Sequence, residues 1–268
     1  MKNLYLFIAA NLLIVSNVYA FDHSHKAFDE LLSAHVKMSA DKTSSRVDYE
    51  NFNKSSLESY LNAASSLSKT DFNQFNKNQK LAFFINTYNA FTIKLILDKY
   101  PVKSIKDTGV RSFSNPLKNP WKMKFFKLFG KKTSLDQIEH VFTRGNKQLN
   151  QDPRIHFAFN CAAIGCPALS NTAWVASKIE NQFDNAAKGF LKDHSRNRVN
   201  VADKTLELND IFKWYGDDFN RGKYGSLKNF LAEYAEAISQ NEKEKTLVLS
   251  KLFSITSTGY DWGLNKSK

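Results

Sequence analysis

Two cysteines, Cys161 and Cys166, are the only thiols in 268 residues. A fold stapled by several disulfides is therefore excluded, and stability has to come from a hydrophobic core. The 22 Phe and 10 Tyr residues suit that need, since each buried ring removes a large area from water. There is no glycine-rich phosphate loop and no Cys/His spacing that fits a zinc site, so no cofactor is expected. Beyond residue 20 no apolar run approaches the roughly 20 residues that span a bilayer, so the mature chain has no transmembrane segment. Acidic residues are also in short supply, with 26 Asp and Glu against 38 Lys and Arg, a net charge of +12. Such a surface is drawn to acidic or cell-envelope ligands. Nucleic acid is the weaker candidate partner, because the charge is spread along the chain instead of gathered in one block.

The first twenty residues read as a secretory signal peptide. Lys2 supplies a positive start, Leu4 to Val15 is largely apolar, and Val18-Tyr19-Ala20 offers small residues for cleavage. A periplasmic or secreted location is expected. Cleavage after Ala20 would make Phe21-Asp22-His23 the new terminus, where an amine, two amides and the His23 imidazole can surround Cu(II) or Ni(II). Moving the cleavage by one residue abolishes that metal site.

Residues 22–80 are polar and helix-prone, with Phe28, Leu31, Leu32 and His35 at helical spacing. From Asn78 to Asp98 the pattern becomes apolar on nearly every side, which predicts a helix buried almost all round. Residues 101–120 read as a loop. Strand-like alternation follows over Trp121 to Lys131, and Ser134 with Gln137 forms a capping box that starts a helix ending near Gly145. Ile155 to Cys161 reads as a short strand, Val175 to Asp193 as a helix, and Asn197 to Asn209 as a hairpin turning at Asp203-Lys204. Ser226 caps what reads as the last helix, through about Ser239, and Ser254 to Leu264 is extended. The expected fold class is α+β, a mainly helical single domain with a small, largely antiparallel sheet.

Four blocks in this order carry a resemblance: Phe84-Ile85-Asn86-Thr87-Tyr88-Asn89-Ala90; Leu135 to His140; Asp152 to Ala158 running on to Asn160-Cys161 and Gly165-Cys166-Pro167; and Tyr260 to Asn265. Together they resemble the domain-of-unknown-function family numbered 547, across roughly residues 75–265. Residues 21–74 then form a helical segment packed on that domain. The resemblance implies export, as for many bacterial members, and brings no settled activity. Plant members tend to keep the first cysteine of the Cys-x4-Cys block and lose the second, which implies a role for Cys161 and leaves Cys166 dispensable.

Read for chemistry, Cys161 ends a strand ahead of a loop containing Gly165 and Pro167, a support on which a thiol can act as nucleophile. Disulfide pairing with Cys166 and plain burial are the competing readings. His140 and His156 are the candidate bases. On a straight strand His156, Ala158 and Asn160 share one face and Cys161 takes the other, so His156 serves only if the chain turns at Asn160. His140 lies off its helix's apolar stripe and is free to face a cleft, and Glu139 points about 100° from it. Asn160 or backbone N–H groups of the loop would hold an oxyanion. Asn86 and Asn89, in so apolar a helix, need hydrogen-bond partners and brace either a loop or a ligand. With Glu139 and Arg154 they complete the binding candidates. Arg144 could likewise hold a carboxylate or phosphate, or be structural.

These residues point to an exported thiol-dependent hydrolase or acyl transferase acting on a peptide or cell-envelope substrate. The alternative is a non-catalytic envelope module that binds a ligand or partner and holds a Cys161–Cys166 disulfide.

Overall fold

Asn76 opens the central helix. Its side chain accepts from Gln79 N at 2.9 Å, and Gln79 Oε1 accepts from Asn76 N at 2.9 Å, a reciprocal cap. In the computed structural model, which describes residues 21–109, 119–149 and 152–267, this helix runs Lys77–Leu97 and is buried on almost every side. Lys94 is its one half-exposed residue after Leu81 and ties to Asp98 at 2.9 Å. The signal-peptide reading lies outside the described residues, as do residues 110–118 of the loop after Pro101.

The elements, in chain order, begin with α1 (Lys26–His35), the β1–β2 hairpin (Val36–Met38 and Ser45–Val47), α2 (Lys54–Ser66), α3 (Lys69–Asn73) and the central helix α4 (Lys77–Leu97). The β3–β4 hairpin (Phe126–Leu128 and Lys131–Thr133) follows, then a π-helix (Gln137–Arg144) and a 3₁₀ turn (Pro153–Phe157). Beyond them lie α5 (Ile179–Leu191), β5 (Arg198–Asn200), β6 (Thr205–Asn209), α6 (Asp210–Trp214) and α7 (Gly216–Phe219). The chain closes with α8 (Leu227–Glu233), α9 (Ala235–Ile238), α10 (Glu242–Ser250) and β7 (Ser254–Gly259).

The fold is mainly helical α+β, as the sequence pattern predicts. β6 pairs antiparallel with β5 and parallel with β7, and the other two strand pairs are antiparallel hairpins. One apolar cluster surrounds α4 and takes in Phe28, Leu31 and Leu32 of α1, Tyr60 of α2, and Phe126, which stacks on Phe91 at 3.7 Å. A second cluster gathers Phe157, Phe190, Leu206, Phe212, Phe219 and Phe230. The Pro153–Phe157 turn stands at their seam, with Ile155 in one and Phe157 in the other. No helix of the described residues is long and apolar enough to cross a membrane.

Four local expectations change. Ile155 to Cys161 is not a strand. Asp152 caps the turn by accepting from Arg154 N at 3.0 Å, and Pro153 enters it. The backbone after it needs no neighbouring strand, because Asn89 takes both partners: Nδ2 donates to Ala158 O at 3.0 Å and Oδ1 accepts from Asn160 N at 2.9 Å. The alternation that set His156 and Cys161 on opposite faces therefore does not apply. Trp121 to Lys131 holds a 3₁₀ turn over Pro120–Lys122 and then the short β3, which ends at a two-residue turn with Phe129 and Gly130 both at positive φ (53° and 74°). The helix capped by Ser134 forms where expected, but widened to a π-helix: Gly145 N bonds His140 O at 2.9 Å. Finally, the helix capped by Ser226 is not the last. α10 follows, capped by Asn241, with Val248 as its buried residue and Leu249 about half exposed, too weak a stripe for periodicity to show.

Candidate active site

The loop Phe159–Pro167 is closed on itself by Asn160, whose Nδ2 donates to Pro167 O at 2.8 Å while Oδ1 accepts from Ala162 N at 2.9 Å. Ala162, immediately after Cys161, sits at φ 59°, a left-handed conformation that a residue with a Cβ holds only when its surroundings impose it. The C-terminal segment imposes it. Asn265 N donates to Ala162 O at 3.1 Å, Ile164 N to Gly263 O at 2.7 Å and Gly165 N to Asp261 O at 2.8 Å. Gly165 is required here, since a Cβ would come within 2.7 Å of Asp261 N. From behind, the buried Arg196 donates to Cys166 O, and to Thr43 O at 2.8 Å.

This clamp brings Tyr260 Oη to 2.8 Å from Cys161 Sγ. Cys161 Sγ donates to Cys166 Sγ at 2.9 Å, and Cys161 N donates to the same sulfur at 2.9 Å. Both cysteines are free thiols, Cys161 part-exposed and Cys166 buried. Burial, with the Cys166 sulfur beside it, pushes the Cys161 thiol well above its ordinary range. Burial pushes Cys166 the same way, but the hydrogen bonds from Cys161 outweigh it and bring Cys166 below its ordinary value. Of the two thiols Cys166 is therefore the easier to ionise.

Cys161 and Cys166 line a cavity of about 380 Å³ together with His140, His156, Glu139 and Asp136. Aromatic rings make most of its walls: Tyr88, Phe159, Tyr215, Trp121, Trp214, Tyr260 and Trp262. Trp214 and Tyr260 both pack against Trp262, at 5.7 and 4.5 Å between ring centroids, and Lys106 Nζ sits 3.7 Å above the Trp262 ring.

Residues 72–191 match the family described as protein of unknown function, DUF547. Over that stretch the chain is similar to DUF547. No curated protein and no solved structure matches it. The matched stretch contains Cys161, Cys166, His140, His156 and Glu139, whereas Tyr215, Asp218, Tyr260 and Trp262 lie beyond its end. The DUF547 stretch thus holds the thiols and histidines, and the chain after it closes the cavity over them.

Of the two histidines, His156 is buried and its ring lies parallel to Tyr215 at 3.9 Å. His156 Nε2 is 2.9 Å from Asp218 Oδ2. A carboxylate at that distance accepts, so the proton sits on Nε2 and the lone pair on Nδ1. Nδ1 is buried and has no hydrogen-bond partner among the described residues. Burial lowers the affinity of His156 for a second proton, against the opposing pull of Asp218. Asp218 stays ionised: burial works against its charge, but His156, then Arg144 at 2.6 Å, hold its carboxyl far below the ordinary carboxylate range, and Arg221 adds a bond at 2.7 Å. His140 is part-exposed on the π-helix, with Nδ1 2.7 Å from Arg144 and Nε2 3.9 Å from both Asp136 and Glu139. Glu139 is buried and accepts from Tyr215 Oη at 2.6 Å.

Cys161, His140, His156 and Glu139 are thus brought to one cavity, although neither imidazole is a hydrogen-bond partner of the Cys161 thiol. The remaining candidates sit elsewhere. Asn160 ties its own loop together and does not line the cavity. Asn86 pairs with the backbone of Trp174, donating at 2.7 Å and accepting at 2.9 Å, as Asn89 does with Ala158 and Asn160. Arg154 is buried between Asp152 and Glu180. Arg144, read from sequence as a carboxylate binder or a structural residue, holds the carboxylate of Asp218. His23 packs its ring on Phe75 at 4.2 Å, and among the described residues no three His, Cys, Asp or Glu side chains gather to hold a metal.

Sequence reasoning passed over Asp218 and Tyr215, which carry no motif. Tyr260 and Trp262 stood inside the fourth block, but nothing in their spacing linked them to a thiol 99 residues earlier.

Proposed function

We propose that this protein is a thiol-dependent hydrolase or acyl transferase, with Cys161 as nucleophile and His156 as its base. The observation that carries this reading is the Asp218–His156 pair, which fixes a neutral imidazole with an unshared Nδ1 lone pair in a residue lining the Cys161 cavity. A thiol held protonated by burial needs such a base. In the reaction Cys161 Sγ attacks an acyl carbon, its proton passes to His156 Nδ1, and Asp218 stabilises the imidazolium. The same proton then goes to the leaving group, and water or an amine releases the thioester. The side chain of Asn160 is spent on the loop, so oxyanion stabilisation falls to loop N–H groups or to Tyr260 Oη, which already donates toward the sulfur's position.

A peptide or cell-envelope substrate fits the aromatic walls and the basic exterior, and residues 1–20 would direct the protein to the periplasm or outside the cell. Sequencing the amino terminus of the secreted form tests that part. The enzymatic part is tested on the chain beginning at Phe21 in a Cys166→Ser background. Cys161 should react with iodoacetamide under native conditions, and an activated aryl ester should give a burst of product equal to one acyl group per chain. A His156→Gln variant that folds should lose the burst. No labelling and no burst would sink the proposal.

The alternative, a non-catalytic binding module with a bridge between the two cysteines, draws on the closeness of the sulfurs. It requires ligand binding that survives alkylation of Cys161.

A further inference from the structure

The second thiol has no task in acyl transfer, yet the fold spends much on placing it. Cys166 is buried, its backbone carbonyl is held by Arg196, and its sulfur receives both Cys161 Sγ and Cys161 N at 2.9 Å. We infer that Cys161 and Cys166 form a reversible dithiol–disulfide couple, in which Cys161 is the entry thiol for a low-molecular-weight disulfide and Cys166 the resolving thiol. This goes beyond acyl transfer, since it requires neither an acyl substrate nor a histidine.

The roles follow from access and charge. Both thiols line the cavity, but Cys161 is part-exposed and Cys166 buried, so an incoming disulfide meets Cys161 first. Once either thiol has ionised, passage of the remaining proton across the 2.9 Å gap to Cys166 leaves the thiolate on Cys161. That thiolate attacks one sulfur of the incoming disulfide, forms a mixed disulfide and expels the first thiolate. Cys166 then gives up the proton to the expelled thiolate and attacks Cys161 Sγ. The bond to the small thiol breaks, a second thiolate leaves, and it is protonated from solvent. The two cysteine thiols are oxidised, and one disulfide molecule is reduced to two thiols. Cys166 is suited to the second attack because the Cys161 N–H bond, which survives in the mixed disulfide, and the nearby Arg196 charge favour its thiolate. Closure consumes the nucleophile of the proposed reaction, so an oxidant would switch it off and a reductant restore it.

The test uses the chain beginning at Phe21 with oxidised glutathione as the probe, followed by intact mass and by thiol counting. Wild type should lose both free thiols without keeping an adduct, and dithiothreitol should restore both. Cys166→Ser, and Cys166→Ala as a second variant with a different volume, should keep one glutathione per chain on Cys161. Cys161→Ser should stay unmodified until unfolded. A wild-type protein that retains a glutathione, or keeps both thiols when the Cys166 variants are fully modified, would overturn the couple. So would Cys161→Ser reacting as fast as Cys166→Ser, or Cys166 variants that accumulate no adduct. Failure of the ester burst leaves these results untouched, so the two proposals fall separately.

Discussion

Tyr260 Oη stands 2.8 Å from Cys161 Sγ, joining the segment that follows the last strand to the loop that holds the thiols. The contact works on the sulfur electrostatically: a hydroxyl donating to Cys161 favours its thiolate against the opposing effect of burial. Removing the hydroxyl should therefore make the thiol harder to ionise.

The Tyr260→Phe variant is expected to alkylate at Cys161 more slowly than wild type at neutral pH, with its rate–pH profile displaced to higher pH. Global stability should change by no more than about 1 kcal/mol, the usual worth of one hydrogen bond. Iodoacetamide kinetics across pH 6 to 10 would show this. An unchanged or lowered profile would mean that Tyr260 does not donate to the sulfur.

Asp218 is the anchor of the charged network. It takes His156, Arg144 and Arg221, and its side chain is almost wholly buried. Asp218→Ala removes the acceptor of a buried histidine and of the Arg144 guanidinium, and should cost about 3 to 5 kcal/mol in urea unfolding. Asp218→Asn should cost less, and it reverses the acceptor at Nε2, so His156 would favour the other tautomer. The proposed base would then be lost from a folded protein, which the ester burst reads directly.

Asn89 does for the Cys161 loop what a neighbouring strand would do elsewhere. Asn89→Ala leaves Ala158 O and Asn160 N buried without partners, and an expected loss of about 2 to 4 kcal/mol follows. Hydrogen exchange should quicken at residues 158–162 while the α10 amides keep their protection. A uniform change along the whole chain would contradict a local brace.

Acid stability should carry the mark of His25. Its Nδ1 lies 2.8 Å from Tyr60 Oη, its Nε2 has no partner among the described residues, and burial brings its pKa from 6.5 down to about 4. The unfolded chain then binds the extra proton near pH 6.5 and the folded one only near pH 4. Stability is thus fully present above pH 6.5 and falls as pH drops toward 4. The loss is on the order of 3 kcal/mol at most. In His25→Gln the slope of unfolding free energy against pH over that interval should flatten relative to wild type. Parallel slopes would show that His25 is not the titrating group.

Much of this architecture can be read from local chemistry. The period of apolar residues locates α4 to within a residue at each end, and Ser134 with Gln137 announces the start of the next helix. The pairing of Val199 with Leu206 is written in their alternation. Other features cannot be read this way. The stretch before Cys161 has the composition of a strand, and only Asn89, some seventy residues away, supplies the hydrogen bonds that let it turn instead. α10 hides because a helix touching the core through so few residues has no periodicity to display.

What the chain's sequence determined by itself is the helical frame, its aromatic core, its basic charge and the residue types in the DUF547 blocks, because each depends on neighbours a few positions apart. What only tertiary structure decided is which of those residues meet. Asp218 reaches His156 and Tyr260 reaches Cys161 across 62 and 99 residues. Such contacts are fixed by how helices and loops pack around a shared core, a property no short stretch of sequence contains.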